Sequence, residues 1–341
     1  MADAAGHDPF LSVSALARHF DVSPPLLNRI IEHRPRLSLK AVDGIDFAIQ
    51  RGETFALVGE SGCGKSTVAR LVVGLYKPTR GRIELDGTDL SEVRGRAEEK
   101  PLRRRIQMIF QDPYASLNPR WRVRDIIAEP IRTHRLLPNQ AAVRARVEEL
   151  LGQVKLARAD GDRYPHEFSG GQRQRISIAR ALAAEPEFLV CDEPTSALDV
   201  SVQAQILNLM KELQRKLGLT YLFISHNLAV VYFISDRVGV MYLGRLVEVA
   251  EVATLFARPL HPYTRMLLDT IPDLAMSGRE RQPVAGEVPN PIDPPSGCAF
   301  HPRCPFANER CRSERPELRR DGTSLAACHA VEERRLPSAP R

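Results

Sequence analysis

The sequence has few aromatic residues and no long apolar run. Aromatic side chains make up 6% of the 341 residues, and tryptophan occurs once. No segment approaches the roughly 18 consecutive apolar residues that a membrane-spanning helix needs. The N-terminus also lacks a basic segment followed by an apolar one, as a signal peptide would have. We therefore expect a cytoplasmic protein that reaches a membrane only by docking on an embedded partner.

Basic residues outnumber acidic ones only slightly. The net charge of +6 comes from 48 basic and 42 acidic residues, and both kinds are dispersed. Dispersed charge is typical of a solvated surface, so we expect no nucleic-acid partner. With 43% hydrophobic residues the chain can bury a sizeable core, and its length suggests two or three structural units.

Strand and helix patterns alternate through most of the chain. Alternating segments such as Leu11–Val13 and Ile45–Ile49 predict antiparallel strands, with an insertion between them at Pro24–Pro35. Short apolar runs alternate with helical patterns further on, and residues 112–186 are mostly helical in pattern. These features predict an α/β fold with a parallel sheet covered on both faces, an antiparallel β subdomain and an inserted helical subdomain at about 112–186.

A glycine-rich loop follows the apolar run Thr54–Val58 and precedes a helical pattern. Its sequence, GESGCGKST, fits the phosphate-binding P-loop. Glycines let the backbone N–H groups turn towards phosphate oxygens, and the helix N-terminus attracts the same negative charge. Lys65 should reach the β- and γ-phosphates, and the Ser66 hydroxyl should bind Mg²⁺. The residues expected to contact the nucleotide here are Gly59, Ser61, Gly62, Cys63, Gly64, Lys65, Ser66 and Thr67.

Two adjacent carboxylates follow the apolar run Phe188–Cys191. Asp192 should lie at the carboxyl end of a buried strand, where open α/β sheets bind their ligands. It is expected to hold Mg²⁺ through water. Glu193, one residue later, is the candidate that polarises an attacking water.

A second glycine-rich element, Ser169–Gln172, opens a helix of its own. A helix N-terminus with glycines also attracts phosphate, yet one active site needs only one P-loop and its acidic strand end. This surplus element implies that the chain completes the ATP site of another ATPase.

These motifs occur in an order that resembles the ATP-binding cassette (ABC) ATPases, which are P-loop NTPases with a RecA-like core. The resemblance implies that Gln111 contacts Mg²⁺ and water, and that His226 contacts the γ-phosphate. It implies that Phe20 stacks on the adenine. The family's signature motif corresponds to Ser169, Gly170, Gly171 and Gln172, which would face the γ-phosphate held by a partner subunit. The loop Ser196–Asp199 resembles the D-loop, so Asp199 joins the expected nucleotide-site residues.

The C-terminal part narrows the resemblance to one class of ABC ATPase. His261–Thr264 and residues 286–311 resemble the extension of oligopeptide/dipeptide importer ATPases, and the whole chain looks most like their F-type subunit. The resemblance implies an ATPase domain at 1–256 and an extension at 257–341. It implies a peripheral position on the cytoplasmic face of the inner membrane. The implied partners are a related D-type ATPase, two transmembrane permeases and an extracytoplasmic peptide-binding protein.

Three alternatives to peptide import stay open at this stage. Relatives with such an extension also handle nickel chelates or glutathione. ABC ATPases of DNA repair insert long coiled coils, and no sustained heptads occur here. Ribosome-associated ABC factors generally carry two cassettes, whereas this chain has one P-loop.

Four cysteines crowd the proline-rich end of the chain. Cys298, Cys304, Cys311 and Cys328 are spaced C-x5-C-x6-C-x16-C. In a reducing compartment such crowding favours a metal over disulfides, and four thiolates suit zinc or an iron–sulfur cluster equally well. The family resemblance favours [4Fe–4S], with zinc as the alternative and His301 or His329 as substitute ligands. Because periodicity fades in this region, we expect it to need something other than a hydrophobic core.

Overall fold

Two β-sheets and a set of helices form the part of the chain that the structure describes. The structure is a computed structural model, and it describes residues 8–25, 29, 35–93, 95–270 and 286–337. Most of the predicted insertion Pro24–Pro35 lies outside the described residues.

The first sheet is antiparallel and lies at the N-terminal end of the chain. Its strands are β1 (Leu11–Asp21), β2 (Ser38–Ile49), β4 (Arg80–Leu85) and β5 (Thr88–Asp89), in the order β2-β1-β4-β5. Buried and partly exposed residues alternate at the start of β1, as expected for a strand with one face on the core. The prediction of antiparallel strands before residue 50 is confirmed.

The second sheet has eight strands and carries the candidate site. They are β3 (Thr54–Val58), β6 (Ile106–Ile109), β7 (Phe188–Asp192), β8 (Thr220–Ile224), β9 (Arg237–Tyr242), β10 (Arg245–Glu251), β11 (Arg319–Asp321) and β12 (Ser324–Ala326). Their order is β11-β12-β10-β9-β3-β8-β7-β6, and β9, β3, β8, β7 and β6 run parallel. Every residue of β3, β7 and β8 is buried, as in a parallel sheet covered on both faces.

Helices connect these strands and cover the sheet. They are α1 (Lys65–Val72), α2 (Arg96–Arg105), α3 (Pro113–Ser116), α4 (Val123–His134), α5 (Gln140–Gln153), α6 (Gly170–Leu182), α7 (Val200–Leu217), α8 (Leu228–Ile234), α9 (Val252–Ala257), α10 (Pro262–Asp269), α11 (Glu309–Ser313) and α12 (His329–Glu332). Short 3-10 turns occur at Arg158–Asp162, Pro165–Glu167 and His301–Arg303. Within the described ranges, no helix has both the length and the apolar character that crossing a bilayer requires.

The C-terminal part shares the core of the preceding residues, contrary to our expectation. Tyr263 and Phe300 are buried against Tyr242 of β9, and all three belong to one hydrophobic cluster on a face of the central sheet. Strand β12 also pairs with β10 and so extends that sheet. The prediction of a region without a hydrophobic core is therefore wrong. Its aromatic residues are far apart in sequence, so no periodic pattern reveals them.

Candidate nucleotide-binding site

The P-loop connects strand β3 to helix α1, and two of its glycines are sterically required. A Cβ atom on Gly59 would lie 2.2 Å from the carbonyl oxygen of Met241. A Cβ atom on Gly64 would lie 2.1 Å from the carbonyl oxygen of Ala41, and Gly64 has a φ of +108°. Only glycine allows this close approach and this backbone conformation. The loop is therefore clamped between β9 and β2.

Lys65 lies buried beneath the loop at the start of α1. Its Nζ donates hydrogen bonds to the carbonyl oxygens of Gly59, at 2.7 Å, and Glu60, at 3.0 Å. The thiol of Cys63 lies 3.6 Å from the same Nζ. Burial raises the pKa of this thiol, so Cys63 stays protonated and unreactive near neutral pH.

Two oxygen ligands suited to Mg²⁺ meet at the end of strand β7. The Ser66 hydroxyl donates a hydrogen bond of 2.9 Å to Oδ1 of Asp192. Burial raises the pKa of Asp192, and the bond from Ser66 opposes that shift. Mg²⁺ commonly takes one or two protein oxygen ligands and completes its shell with phosphates and water. The pair therefore fits Mg²⁺ bound together with a nucleotide.

The side chains of Gln111 and His226 converge on the carboxylate of Glu193. Gln111 Nε2 donates to Glu193 Oε2 at 3.1 Å, and His226 Nδ1 lies 3.1 Å from the same oxygen. Glu193 has a φ of +47°, a conformation that non-glycine residues adopt mainly where their surroundings enforce it. The sheet thus brings together three candidates that lie far apart in sequence.

A cleft of about 750 Å³ lies over the P-loop. The predicted residues that line it are Phe20, Ser61, Gly62, Gly64, Lys65, Ser66, Thr67, Gln111, Glu193 and His226. The Phe20 ring lies 5.5 Å from the Tyr76 ring, edge to face, and the Arg18 guanidinium lies 4.6 Å from the Phe20 centroid. Phe20 thus lies at the cleft, where an adenine could reach it.

The signature residues Ser169–Gln172 do not line this cleft. The Ser169 hydroxyl accepts from the Gln172 N–H, and the Gln172 side chain accepts from the Ser169 N–H, which forms a capping box on α6. A Cβ atom on Gly171 would lie 2.4 Å from Cγ1 of Val202 in α7, so α6 and α7 meet closely. Asp199 is the residue that precedes α7 at its N-terminus.

The four C-terminal cysteines lie near one another, but they do not form a site for a single metal ion. The Cys298 N–H donates to the Cys311 carbonyl oxygen at 2.8 Å. Burial raises the pKa of Cys298 to about 12 and that of Cys304 to about 11, and the neighbouring thiols add to both shifts. Across the described ranges, no three His, Cys, Asp or Glu side chains are arranged to hold a metal ion. The predicted metal-binding geometry is therefore not found, and this includes the zinc site with His301 or His329.

Three residues of the C-terminal part lie at the P-loop or its cleft, and sequence analysis did not predict them. Pro291 lines the cleft. Tyr263 and Arg303 both contact Glu60 of the P-loop. A motif search has no signal for such residues, because their partners lie more than 200 positions away in sequence.

Comparison with known proteins gives consistent matches over nearly the whole chain. The ABC transporter family matches residues 42–196, and the family described as "Oligopeptide/dipeptide transporter, C-terminal region" matches residues 247–311. The putative oligopeptide transport ATP-binding protein YkfD of Bacillus subtilis is 52% identical over 94% of this chain and 95% of its own length. The oligopeptide transport ATP-binding protein AppF of the same organism is 50% identical over 96% of this chain and 98% of its own length. The chain belongs to the ATP-binding subunits of ABC transporters.

Solved structures of ABC ATPases agree with this assignment. The dimeric cassette MJ0796, solved in a post-hydrolysis state with ADP and phosphate, matches this chain with a TM-score of 0.61 and 26% identity. The match covers 71% of this chain and 98% of the MJ0796 chain. The predicted P-loop NTPase fold is thus confirmed. ABC ATPases of this kind hydrolyse ATP with Mg²⁺, so the present ABC ATPase is an enzyme.

Proposed function

We propose that this ABC ATPase energises the import of dipeptides or oligopeptides across the inner membrane. The observation that carries the proposal is the C-terminal part, because the family that matches residues 247–311 is described by oligopeptide and dipeptide transport. YkfD and AppF, which match nearly the whole chain, are named as oligopeptide transport proteins. Import of another small substrate, such as a nickel chelate or glutathione, is the alternative.

The arrangement of the cleft supports a role for each of its predicted side chains. Lys65 would bind the β- and γ-phosphates, while Ser66 and Asp192 would hold Mg²⁺, which neutralises phosphate charge. Gln111 and His226 both hold the Glu193 carboxylate, which fixes its direction towards the cleft. In this position Glu193 would accept a proton from the attacking water as phosphoryl transfer begins.

Three further contacts to ATP and Mg²⁺ follow from the same arrangement. His226 is more than half exposed and would also contact the γ-phosphate. Gln111 would contact Mg²⁺ through its amide oxygen, and Phe20 would stack on the adenine.

Ser169–Gln172 would serve a second subunit. These residues lie outside the cleft of their own chain, and the cassette MJ0796 was solved as a dimer. We therefore propose a face-to-face dimer with a related D-type ATPase, in which each subunit's signature motif meets the other's P-loop. ATP would favour the closed dimer because only that state contacts ATP from both sides.

The remaining assembly follows from the proposed transport function. The partners would be two transmembrane permeases and an extracytoplasmic peptide-binding protein, with this chain at the cytoplasmic face of the membrane. We assign the ATPase domain to 1–256, with its helical subdomain at about 112–186, and the extension to 257–341. The proposed assembly includes no nucleic acid.

We propose that the four C-terminal cysteines hold a [4Fe–4S] cluster. The support for this proposal is that the thiols neighbour one another and that four thiolates are the usual ligands of such a cluster. Iron and sulfide analysis of protein purified without oxygen tests this proposal. About four irons per chain with visible absorption would support it, and a colourless, iron-free protein would contradict it.

Transport is tested by expressing the chain with its candidate partners. The permeases, the binding protein and the second ATPase are reconstituted in proteoliposomes, and ATP hydrolysis is measured with and without short peptides. We expect peptide to stimulate hydrolysis, and Lys65→Ala to abolish it. Stimulation by nickel chelate or glutathione in place of peptide would favour the alternative. Stimulation of the purified chain by nucleic acid would overturn the proposal.

A further inference from the structure

Glu60, the second residue of the P-loop, is held by two residues of the C-terminal extension. The Arg303 guanidinium donates to both carboxylate oxygens of Glu60, from Nη1 to Oε2 at 2.8 Å and from Nη2 to Oε1 at 3.0 Å. The Glu60 N–H donates to the Tyr263 hydroxyl at 2.8 Å. The side chain and the backbone of one P-loop residue are therefore both fixed by residues more than 200 positions away.

The environment of Arg303 makes this ion pair rigid. Its side chain is 2% exposed, and its guanidinium lies 5.9 Å from the Tyr242 ring centroid and 5.8 Å from that of Phe300. A buried guanidinium without a partner is costly, so it holds the carboxylate that satisfies it. Bidentate geometry also fixes the orientation of Glu60, because two parallel hydrogen bonds resist rotation.

Glu60 in turn contacts Lys65, the residue proposed to bind the ATP phosphates. Its carbonyl oxygen accepts a hydrogen bond from Lys65 Nζ at 3.0 Å. The neighbouring Gly59 carbonyl accepts from the same ammonium at 2.7 Å. A chain of direct contacts therefore runs from Arg303 through Glu60 to Lys65.

We propose that Arg303 is a positioning residue for ATP, which sets the shape of the P-loop through Glu60 and Lys65. The extension is then part of the nucleotide site rather than only a module beside it. Because the P-loop contacts the same phosphates before and during hydrolysis, loss of Arg303 should weaken ATP binding more than it slows turnover. The inference rests on ATP binding by the family and does not depend on the transported substrate.

The test is a double-mutant cycle in the full-length chain with Arg303→Gln, Glu60→Gln and the double variant. The KM for ATP, the kcat and the affinity for a fluorescent ATP analogue are measured beside the thermal unfolding midpoint. We expect Arg303→Gln to raise the KM about tenfold, which corresponds to a loss of about 1.4 kcal/mol in binding free energy. The KM of the double variant should be no higher than that of Arg303→Gln, because each single change already removes the same ion pair.

Arg315→Gln is the matched control. Arg315 also joins the extension to the preceding residues, by an ion pair of 3.5 Å with Asp43, but Asp43 lies outside the P-loop. This variant should leave the KM for ATP unchanged. Arg303→Lys keeps the charge without the bidentate geometry, so it should fold and give an intermediate KM.

Two outcomes would overturn the proposal. In the first, Arg303→Gln or Arg303→Lys lowers the unfolding midpoint but leaves the KM and the analogue affinity unchanged, which would assign Arg303 to stability alone. In the second, the effects of the Glu60 and Arg303 changes on KM are additive. Failure of the unmodified chain to bind ATP would instead contradict its activity as an ABC ATPase, so the two failures are distinguishable.

Discussion

Replacing Phe300 by alanine should destabilise the protein strongly, because the ring joins the extension to the central sheet. Its side chain is 2% exposed. Its centroid lies 5.3 Å from that of Tyr242, edge to face, and 5.5 Å from that of Tyr263. A third ring, that of the buried His261, lies 5.7 Å away. The substitution would empty the centre of this cluster.

The expected loss in the free energy of unfolding is about 3–5 kcal/mol, the usual range for a buried phenylalanine replaced by alanine. Each aromatic pair supplies about 0.5–1.5 kcal/mol of that loss. With a denaturant slope of about 4 kcal/mol per molar urea for a chain of this size, the urea midpoint should fall by about 1 M.

Urea unfolding followed by circular dichroism measures this change. Ile292→Ala is the control, because Ile292 belongs to the same extension but is 37% exposed. We expect the control to shift the midpoint by only a small fraction of that amount. If Phe300→Ala and Ile292→Ala gave equal, small shifts, the extension would not share the core of the central sheet.

Three further predictions address the site and its surroundings. Glu193→Gln should lower ATP hydrolysis by about 10²-fold or more while ATP binding persists, as measured by phosphate release and by fluorescent-nucleotide titration. Gly171→Ala should abolish hydrolysis in the assembled transporter but leave binding by the chain's own P-loop intact, because the new Cβ would lie 2.4 Å from Val202 Cγ1 and displace α6. Burial lowers the pKa of His261 to about 3. Below pH ~6.5 the unfolded chain therefore binds a proton at this residue that the folded chain excludes. The free energy of unfolding should then fall by about 1.4 kcal/mol for each unit by which the pH is lowered. His261→Asn, which can still cap α10 by accepting from the Tyr263 N–H, should remove this acid sensitivity in unfolding midpoints measured from pH 7 to pH 5.

Local motifs predicted most of the candidate site, because its chemistry depends on short backbone elements. The P-loop and the acidic strand end each need a fixed local spacing, so Lys65, Ser66 and Asp192 are visible in the sequence. The structure places Ser66 and Asp192 within hydrogen-bond distance, as a shared Mg²⁺ site requires. Gln111 and His226 carried little signal alone and became recognisable only through the order of the motifs.

The contacts between the extension and the P-loop could not be predicted in this way. Arg303 and Glu60 are 243 positions apart, and neither belongs to a pattern that specifies the other. The shared core was missed for the same reason, since Tyr242 and Phe300 come from separate segments. The cysteine spacing predicts that the four thiols are crowded, which the neighbouring thiols of Cys298 and Cys304 bear out, but spacing alone does not identify what they bind.

The pairing of β12 with β10 bears on any attempt to study the ATPase domain by itself. Cutting the chain after Phe256 would leave the Glu248 and Val249 backbone without the partners that Ala326 and Leu325 supply. Tyr242, which is 2% exposed in the full chain, would lose the Phe300 side chain that covers it. An unpaired strand beside an uncovered apolar surface is a template for self-association. We therefore expect the shortened protein to aggregate, so that low ATPase activity in it would report loss of soluble protein rather than a defective P-loop.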